Sequence, residues 1–184
     1  MSLQESYNTL TVEINNKVAH IVLNRPDELN SMNVDFWHEF PQVIETINNQ
    51  SAARAIVISS TGKHFCAGMD LAVFSANNGT DNIELGRKHE QLRRLVLRLQ
   101  TCFNVLESVR MPVLMAIQGG CIGGAVDMVT AADCRYCTQD AFFSIEETKL
   151  GMTADVGTLQ RLPKLISIGL VKVACLHRPQ NACR

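Results

Sequence analysis

Three carboxylates in the second half of the sequence stand among apolar or small residues, an uncommon place for a charge. Asp127 lies in AVDMV, Glu147 in SIEETKLG and Asp155 in TADVG. A carboxyl group that leaves water can have a strongly raised pKa, so that one group holds a proton at neutral pH while another stays ionised. Two or three such groups around a pocket suit proton transfer on carbon. For Glu147 the residues alone favour the alternative of a surface acid or a helix-start acid, because its neighbour Glu146 is charged as well.

Two glycine-bearing loops could supply backbone donors to a developing negative charge. Gly123 and Gly124, in GGCIGGAVDM, stand between a predicted strand and a predicted helix, where free amides and partial positive charge collect. The loop AGMD at 67–70 follows another predicted strand and could supply an opposing amide. Glycine turns of this kind also serve packing alone, so the residues by themselves leave both uses open.

Several other kinds of site have no matching pattern in the sequence. The glycines fit neither a GxxxxGK[ST] phosphate loop nor a GxGxxG dinucleotide fingerprint, and no GxSxG elbow presents a serine nucleophile. The five histidines are isolated from carboxylate partners, so no metal site is predicted. Cys134 and Cys137 form a single CxxC without a second pair, and we expect two buried thiols there.

The elements that must position these residues alternate between strands and helices. Residues 10–14 and 18–23 predict a β-hairpin, apolar runs predict buried strands at 55–59 and 112–117, and Asn33 is placed to cap a helix that Pro41 should bend. A long amphipathic helix follows the polar stretch 77–82. Its expected buried face comprises Leu92, Leu95, Val96, Leu99, Cys102, Phe103 and Leu106, with Arg93, Arg94 and Arg98 on the solvated side. This alternation predicts an α/β fold built from right-handed crossover units.

The composition is that of a globular protein with one domain. Of 184 residues, 46% are hydrophobic and 19% are charged, and the formal net charge of −1 gives no overall field to attract nucleic acid or an anionic membrane. No apolar run approaches the roughly 20 residues that a bilayer span needs. Seven scattered cysteines, together with an N-terminus that lacks a secretion-signal pattern, predict a reducing, cytoplasmic compartment.

The glycine loops and the acids together resemble the crotonase superfamily, the enoyl-CoA hydratase/isomerase group. The matching pieces are VAHIVLNRPDELNSMN, VISSTGKHFCAGMDL, MPVLMAIQGGCIGGAVDMVTAADCRYCTQDAFF and IEETKLGMTADVGTLQRLPK. The last two are closer to Δ3,5-Δ2,4-dienoyl-CoA isomerases than to hydratases, because Asp127 stands where hydratases carry glutamate and Asp155 lies in ADVGTLQRLP. Ala125 departs from the family, which usually has a third glycine there.

This resemblance implies a fold, a ligand and a set of contacts. The fold is a crotonase-like spiral of ββα units over residues 1–165, and the ligand is an acyl-CoA thioester, with no cofactor beyond the coenzyme A that the substrate carries. The backbone amides of Met69 and Gly124 would form an oxyanion hole. The implied substrate contacts are Ala67, Gly68, Asp70 and Leu71 along the pantetheine arm, and Arg25 and Lys63 at the phosphates.

The reaction that the resemblance implies moves a pair of double bonds in fatty acid β-oxidation. Loss of a proton from C2 of a 3,5-dienoyl thioester gives a dienolate delocalised to C6, and protonation at C6 yields the 2,4-diene. The resemblance assigns Glu147 to C2 and Asp155 to C6, with their order left open, and gives Asp127 a supporting role. The alternatives are an enoyl-CoA hydratase and a truncated, non-catalytic module that binds acyl-CoA or associates with its relatives.

The C-terminus departs most from the family. After LPKLISIGLVKVA the sequence soon ends, whereas members of the family continue through several helices that usually build a homotrimer or hexamer. We therefore expect 166–184 to be the truncated start of a largely absent C-terminal helical part, with Pro179 halting its first helix. For a eukaryotic source, a peroxisomal or mitochondrial location is the alternative to the cytoplasm.

Overall fold

Two β-sheets organise the computed structural model, which describes residues 6–75, 84–176 and 181–182. The strands in these ranges are β1 (Leu10–Asn15), β2 (Val18–Leu23), β3 (Ala55–Ser60), β4 (Val113–Ile117), β5 (Gly120–Ile122), β6 (Cys134–Cys137), β7 (Phe142–Ser144) and β8 (Asn181–Ala182). The larger sheet has the order β1-β2-β3-β4-β6, and the smaller one has the order β5-β7-β8. The strands before the glycines at 123 and 124, β4 and β5, and those after them, β6 and β7, each contribute one strand to either sheet.

The strand directions confirm the hairpin and the crossover units that the sequence predicts. β1 and β2 are antiparallel with Leu10 opposite Leu23, and the turn residues Asn16 and Lys17 have φ values of 48° and 65°. Left-handed residues give a two-residue turn the twist that a hairpin needs. The pairs β2–β3, β3–β4, β4–β6 and β5–β7 are parallel, as crossover connections require.

The helices lie between these strands and near the C-terminus. They are α1 (Val34–Gln50), α2 (Leu71–Ser75), α3 (Leu85–Ser108), α4 (Gly124–Thr130), α5 (Thr158–Arg161) and α6 (Ile168–Leu176), with short 3-10 turns at Pro26–Glu28, Glu147–Leu150 and Leu162–Lys164. Asn33 caps α1 as predicted, because its side-chain oxygen accepts a hydrogen bond from the Phe36 amide at 3.0 Å. Pro41 lies inside α1, which continues through it to Gln50.

An aromatic cluster fastens α1 to α3 and supports the larger sheet. The rings of Trp37 and Phe103 have centroids 5.3 Å apart, and those of Phe40 and Phe103 are 6.3 Å apart at near-perpendicular angles. Phe40 and Phe103 are completely buried, as are Ile58 and Met115 on the central strands. Burial of large apolar side chains is the main favourable term in folding, so this cluster fixes where α3 lies relative to the sheet.

Two predictions about burial are wrong. Leu92 is 59% exposed, and the buried part of α3 begins only at Leu99, because periodicity identifies an apolar face but not the length over which a partner covers it. Cys134 is exposed and Cys137 is half-buried, because β6 is an edge strand of the larger sheet, and Cys137 is disulfide-bonded and not a free thiol. The arginines Arg93, Arg94 and Arg98 are exposed as predicted.

A few predictions fall outside the part of the chain that the structure describes, namely those on the polar stretch 77–82, His177 and Pro179. Within the described part, none of the helices is both long and apolar enough to cross a membrane. In the same part, no group of three or more His, Cys, Asp or Glu side chains is arranged to hold a metal ion. A domain boundary at 165 and 166 would fall between the last 3-10 turn and α6, and it stays a prediction.

Candidate active site

A cavity of about 480 Å³ brings both glycine loops and all three predicted acids together. The loops approach because Cys66 and Cys121 form a parallel bridge, with the Cys66 amide donating to the Gly120 carbonyl and the Ile122 amide to the Cys66 carbonyl. The sequence-predicted residues that line the cavity are Ala67, Gly68, Met69, Asp70, Leu71, Gly124, Asp127, Glu147 and Asp155. Residues from four separate parts of the chain thus line one cavity.

The amides of Met69 and Gly124 are close neighbours in this cavity. A Cβ atom placed on Gly124 would lie 3.8 Å from the Met69 nitrogen, and one placed on Gly68 would lie 3.3 Å from the Gly124 nitrogen. Gly124 is the first residue of α4, where an amide has no acceptor within the helix. Among the residues that the structure describes, neither amide donates to a protein acceptor. Two backbone donors are therefore available at the same point of the cavity.

Hydrogen bonds from a neighbouring turn hold the loop that carries Met69. The Met32 amide donates to the Gly68 carbonyl at 2.8 Å, and the Asp70 amide donates to the Met32 carbonyl at 3.1 Å. The buried Cys66 thiol donates to the Asn30 carbonyl at 3.0 Å. Burial raises the pKa of this thiol to about 12, so it stays protonated and keeps its donor. The sequence pattern gave no sign of this support, because a lone cysteine in an apolar setting usually only packs.

Asp127 is the most enclosed of the three acids. Its side chain lies in the first turn of α4, the residue is 1% exposed, and its Oδ1 accepts a hydrogen bond from the Thr158 amide at 2.6 Å. Its Oδ2 is buried without a hydrogen-bond partner in the described part of the chain. Burial raises the pKa of Asp127 to about 7, with the charges of Glu147 and Asp155 adding to the rise and the hydrogen bonds from Thr158 opposing it.

Glu147 and Asp155 reach the cavity from the loop that precedes α5. Glu147 begins the 3-10 turn Glu147–Leu150, and its Oε2 is buried without a hydrogen-bond partner among the described residues. Burial raises the pKa of Glu147. The buried Oε2 argues against a plain surface acid, whereas the position in the first turn of a 3-10 helix fits the helix-start alternative. Asp155 is half-buried, and its backbone carbonyl accepts a hydrogen bond from the Gln100 side chain at 2.7 Å.

The two predicted phosphate contacts do not line the cavity. The Arg25 guanidinium donates to the Ser31 backbone carbonyl and to the Ser31 hydroxyl, and its Nη2 lies 3.8 Å from Oδ2 of Asp70. Arg25 therefore contacts two cavity-lining residues without lining the cavity itself. Lys63 is exposed on the loop after β3. A role for either residue in binding phosphate stays a prediction.

The structure adds lining residues that the sequence pattern did not mark as functional. Leu99, expected on the buried face of the long helix, and Trp37 each turn part of their surface to the cavity, from α3 and α1 respectively. Glu146 lines it beside Glu147, and the Ser144 hydroxyl donates to one of its oxygens. The remaining additions are Ser31, Ile122, Leu150, Met152, Thr153 and Val156, and Gly123, which the sequence analysis named with Gly124, also lines the cavity. An apolar residue on a helix gives no signal that separates a cavity wall from a core.

The enclosed position of Asp127 predicts how stability depends on pH. Its pKa is about 7 in the folded protein and roughly 3.9 in an unfolded chain, so between these values the folded state binds a proton that the unfolded state has lost. Stability therefore falls as the pH rises through this window. We expect this group to lower the free energy of unfolding by up to about 4 kcal/mol between pH 4 and pH 8. Urea unfolding should show that D127N, which keeps an acceptor for the Thr158 amide, lacks this dependence; parallel pH curves for the two proteins would contradict the prediction.

Comparison with known proteins supplies a family and its relatives. The sequence profile described as Enoyl-CoA hydratase/isomerase matches residues 13–180. The peroxisomal Δ3,5-Δ2,4-dienoyl-CoA isomerase of Arabidopsis thaliana is 43% identical over 167 residues, which are 88% of this chain and 60% of that protein. The mitochondrial enzyme of the same description from Homo sapiens is 47% identical over 166 residues, 88% of this chain and 50% of that protein. This chain thus spans half to three fifths of the length of these curated relatives.

A solved structure shares the arrangement of elements. The crystal structure of a putative enoyl-CoA hydratase from Thermobifida fusca in complex with acetoacetyl-CoA has a TM-score of 0.79 and is 26% identical. The similarity covers 91% of this chain and 66% of that one. That structure is described as holding a coenzyme A thioester.

Proposed function

This chain belongs to the enoyl-CoA hydratase/isomerase family and has its α/β fold, and we propose that it isomerises 3,5-dienoyl-CoA to 2,4-dienoyl-CoA. The observation that carries the proposal is the convergence of Asp127, Glu147 and Asp155 on the cavity that holds two free amides. Relatives of this description at 43% and 47% identity support it. Acyl-CoA is the proposed ligand, supported by the acetoacetyl-CoA in the related structure.

The two amides would stabilise the charge that forms on the thioester oxygen. When the C2–H bond breaks, its electron pair spreads over the carbonyl oxygen and over C2, C4 and C6 of the acyl chain. Hydrogen bonds from the Met69 and Gly124 amides stabilise this oxygen more strongly as its negative charge grows during the reaction. One such donor lowers the barrier by roughly 3 to 4 kcal/mol. The start of α4 adds partial positive charge at the same place.

Glu147 is the proposed base at C2. A Cβ atom placed on Gly123 would lie 3.4 Å from Oε1 of Glu147, so this carboxylate lies beside the peptide that presents the Gly124 amide. C2 is bonded to the thioester carbon, and a base that acts on C2 must stand close to the oxyanion donors. The raised pKa of Glu147 makes it a stronger base than an exposed glutamate would be, once it is ionised.

Asp155 is the proposed acid that delivers a proton to C6. It stands on another part of the cavity wall, next to Val156, with Leu99 and Trp37 supplying apolar surface that suits a diene. Asp127 has one oxygen bound by the Thr158 amide and the other without a partner among the described residues, and it is proposed to hold a proton between the other two acids. Its pKa of about 7 lets it exchange that proton at neutral pH.

The D155N variant tests this function. With 3,5-dienoyl-CoA as substrate, we expect the wild-type protein to generate 2,4-diene absorbance and D155N to lose kcat by about 10²-fold or more with KM nearly unchanged, because proton delivery is lost but binding is not. D140N, which changes an exposed aspartate outside the cavity, is the matched control.

Competing substrates identify the other outcomes. Hydration of 2-enoyl-CoA without any diene formation would establish hydratase activity and overturn the proposed isomerase activity. Failure to bind acyl-CoA in a titration would support a non-catalytic module. An unchanged rate in D155N would remove Asp155 from the mechanism while leaving the substrate assignment intact.

Compartment and assembly are also proposals. The Arabidopsis and human relatives are described as peroxisomal and mitochondrial, which favours these compartments over the cytoplasm that the cysteine pattern predicts. A homotrimer or hexamer is what the family leads us to expect, and light scattering of the purified protein measures it.

A further inference from the structure

A polar row on α3 holds the segment that carries Asp155. Gln100, Asn104 and Glu107 follow one another at about one-turn spacing and therefore share a helix face. Gln100 Nε2 donates to the Asp155 carbonyl at 2.7 Å. Asn104 and Glu107 both accept hydrogen bonds from the guanidinium of Arg161. We call Gln100, Asn104, Glu107 and Arg161 the α3 clamp.

Arg161 is the centre of this clamp. Its side chain is 9% exposed, against 52% for its ion-pair partner Glu107, and its Nε and Nη2 lie 2.8 and 2.6 Å from the same Glu107 oxygen. Its Nη1 donates to the Val156 carbonyl at 3.4 Å. A charge this enclosed costs free energy unless its N–H groups donate hydrogen bonds. Here they donate to side chains of α3 and to the backbone next to Asp155.

This arrangement requires glycine at position 157, because a side chain there would occupy the space of the guanidinium. Gly157 has φ 139°, and a Cβ atom there would lie 1.7 Å from Nη1 of Arg161. The guanidinium thus lies directly against the backbone between Val156 and Thr158. The next amide along the chain, that of Thr158, is the one that donates to Oδ1 of Asp127.

The clamp therefore contacts the backbone of Asp155 directly and reaches Asp127 only through the segment that carries the Thr158 amide, and it does not line the cavity. One end fixes the Asp155 carbonyl, and the other fixes the peptide segment whose amide binds Asp127. Arg161, Asn104 and Glu107 are not among the cavity-lining residues. The titratable groups around Asp127 are Glu147, Asp155 and Cys121.

We propose that Arg161 is a positioning residue that keeps the Thr158 amide on Asp127 and holds Asp155 at the cavity wall. Its effect on the rate rests on the proposed isomerase function, whereas its effect on the amide does not. Without Arg161 the 156–158 backbone moves, the Asp127 carboxylate loses its donor, and its protonated form is favoured over a wider pH range. Misplacement of catalytic groups by about 1 Å can cost on the order of 10²-fold in rate.

The test compares R161Q, R161K and E107Q with the wild-type protein. We expect R161Q to lower kcat by about 10-fold to 100-fold with KM nearly unchanged, to move the Asp127 inflection of the pH–rate profile upward, and to speed hydrogen exchange of the Thr158 amide measured by NMR. R161K should recover part of each effect, because an ammonium keeps the charge but not the planar fork. R94Q, on the exposed face of the same helix, is the matched control.

The outcomes separate the two proposals. If R161Q does not fold, E107Q supplies the test: it removes the negative charge that pairs with the Arg161 guanidinium, at a half-exposed position, and should show the same effects more weakly. A lower kcat with unchanged Thr158 exchange and an unchanged pH profile in every variant would overturn the positioning role. If the wild-type protein forms no diene, the isomerase proposal fails, and Thr158 exchange and the carboxyl titration of Asp127 by NMR still decide whether Arg161 positions the amide.

Discussion

Replacement of Glu147 by glutamine is expected to remove isomerisation almost completely, with kcat falling on the order of 10³-fold. Glutamine has nearly the same shape and keeps an oxygen beside Gly123, but it cannot accept the C2 proton. General-base catalysis contributes roughly 10²-fold to 10⁴-fold in enzymes, and C–H bonds ionise slowly without it. Binding of acyl-CoA should change little, because the oxyanion donors are backbone amides of other loops.

Deuterium exchange distinguishes the role of Glu147 from that of Asp155. In D2O, the wild-type protein should exchange the C2 protons of the substrate, and E147Q should not. D155N should still exchange at C2 while failing to protonate C6, because the base remains in place. The opposite pattern would reverse the two assignments. E45Q, on the exposed side of α1, controls for the loss of a carboxylate elsewhere.

The second large effect is expected from Gly68→Ala. Gly68 has φ 87°, and a Cβ atom there would lie 2.6 Å from the Ile122 carbonyl oxygen and 3.3 Å from the Gly124 nitrogen. Backbone atoms cannot shift aside as the end of a flexible side chain can, so the two loops must move apart. The Met69 and Gly124 amides then no longer donate to the same oxygen. We expect kcat to fall by about 10²-fold to 10³-fold, the usual loss for one misplaced oxyanion donor.

Gly151→Ala is the matched control for this effect. Gly151 also has a left-handed φ of 70°, but a Cβ atom there would meet no other atom within 4 Å. Both variants should lose about 1 kcal/mol of stability from backbone strain, and Gly68→Ala should lose more because its Cβ clashes with the Ile122 carbonyl. Only Gly68→Ala should lose catalytic rate. Thermal unfolding and steady-state kinetics measure the two quantities. Equal kinetic losses in both variants would mean that strain, and not the separation of the amides, lowers the rate.

Much of the fold was accessible from local patterns. The β1–β2 hairpin, the Asn33 cap and the strands at the start of each crossover follow from alternation, turn chemistry and capping, all of which act over a few residues. The burial of Leu92 and of Cys134 was misjudged for one reason. Whether an apolar face is covered depends on an element elsewhere in the chain, and α3 extends beyond its partners while β6 lies at a sheet edge.

The candidate site divides in the same way. The sequence by itself determined that Asp127, Glu147 and Asp155 stand in apolar surroundings and that glycines follow two strands, because residue type and local neighbours carry that information. Only the tertiary structure decided that these groups share one cavity, that the Thr158 amide binds Asp127, and that Arg161 pairs with Glu107 on α3. The reason is physical: hydrogen bonds and burial between residues 30 or more positions apart depend on strand order and helix packing, which no local pattern encodes.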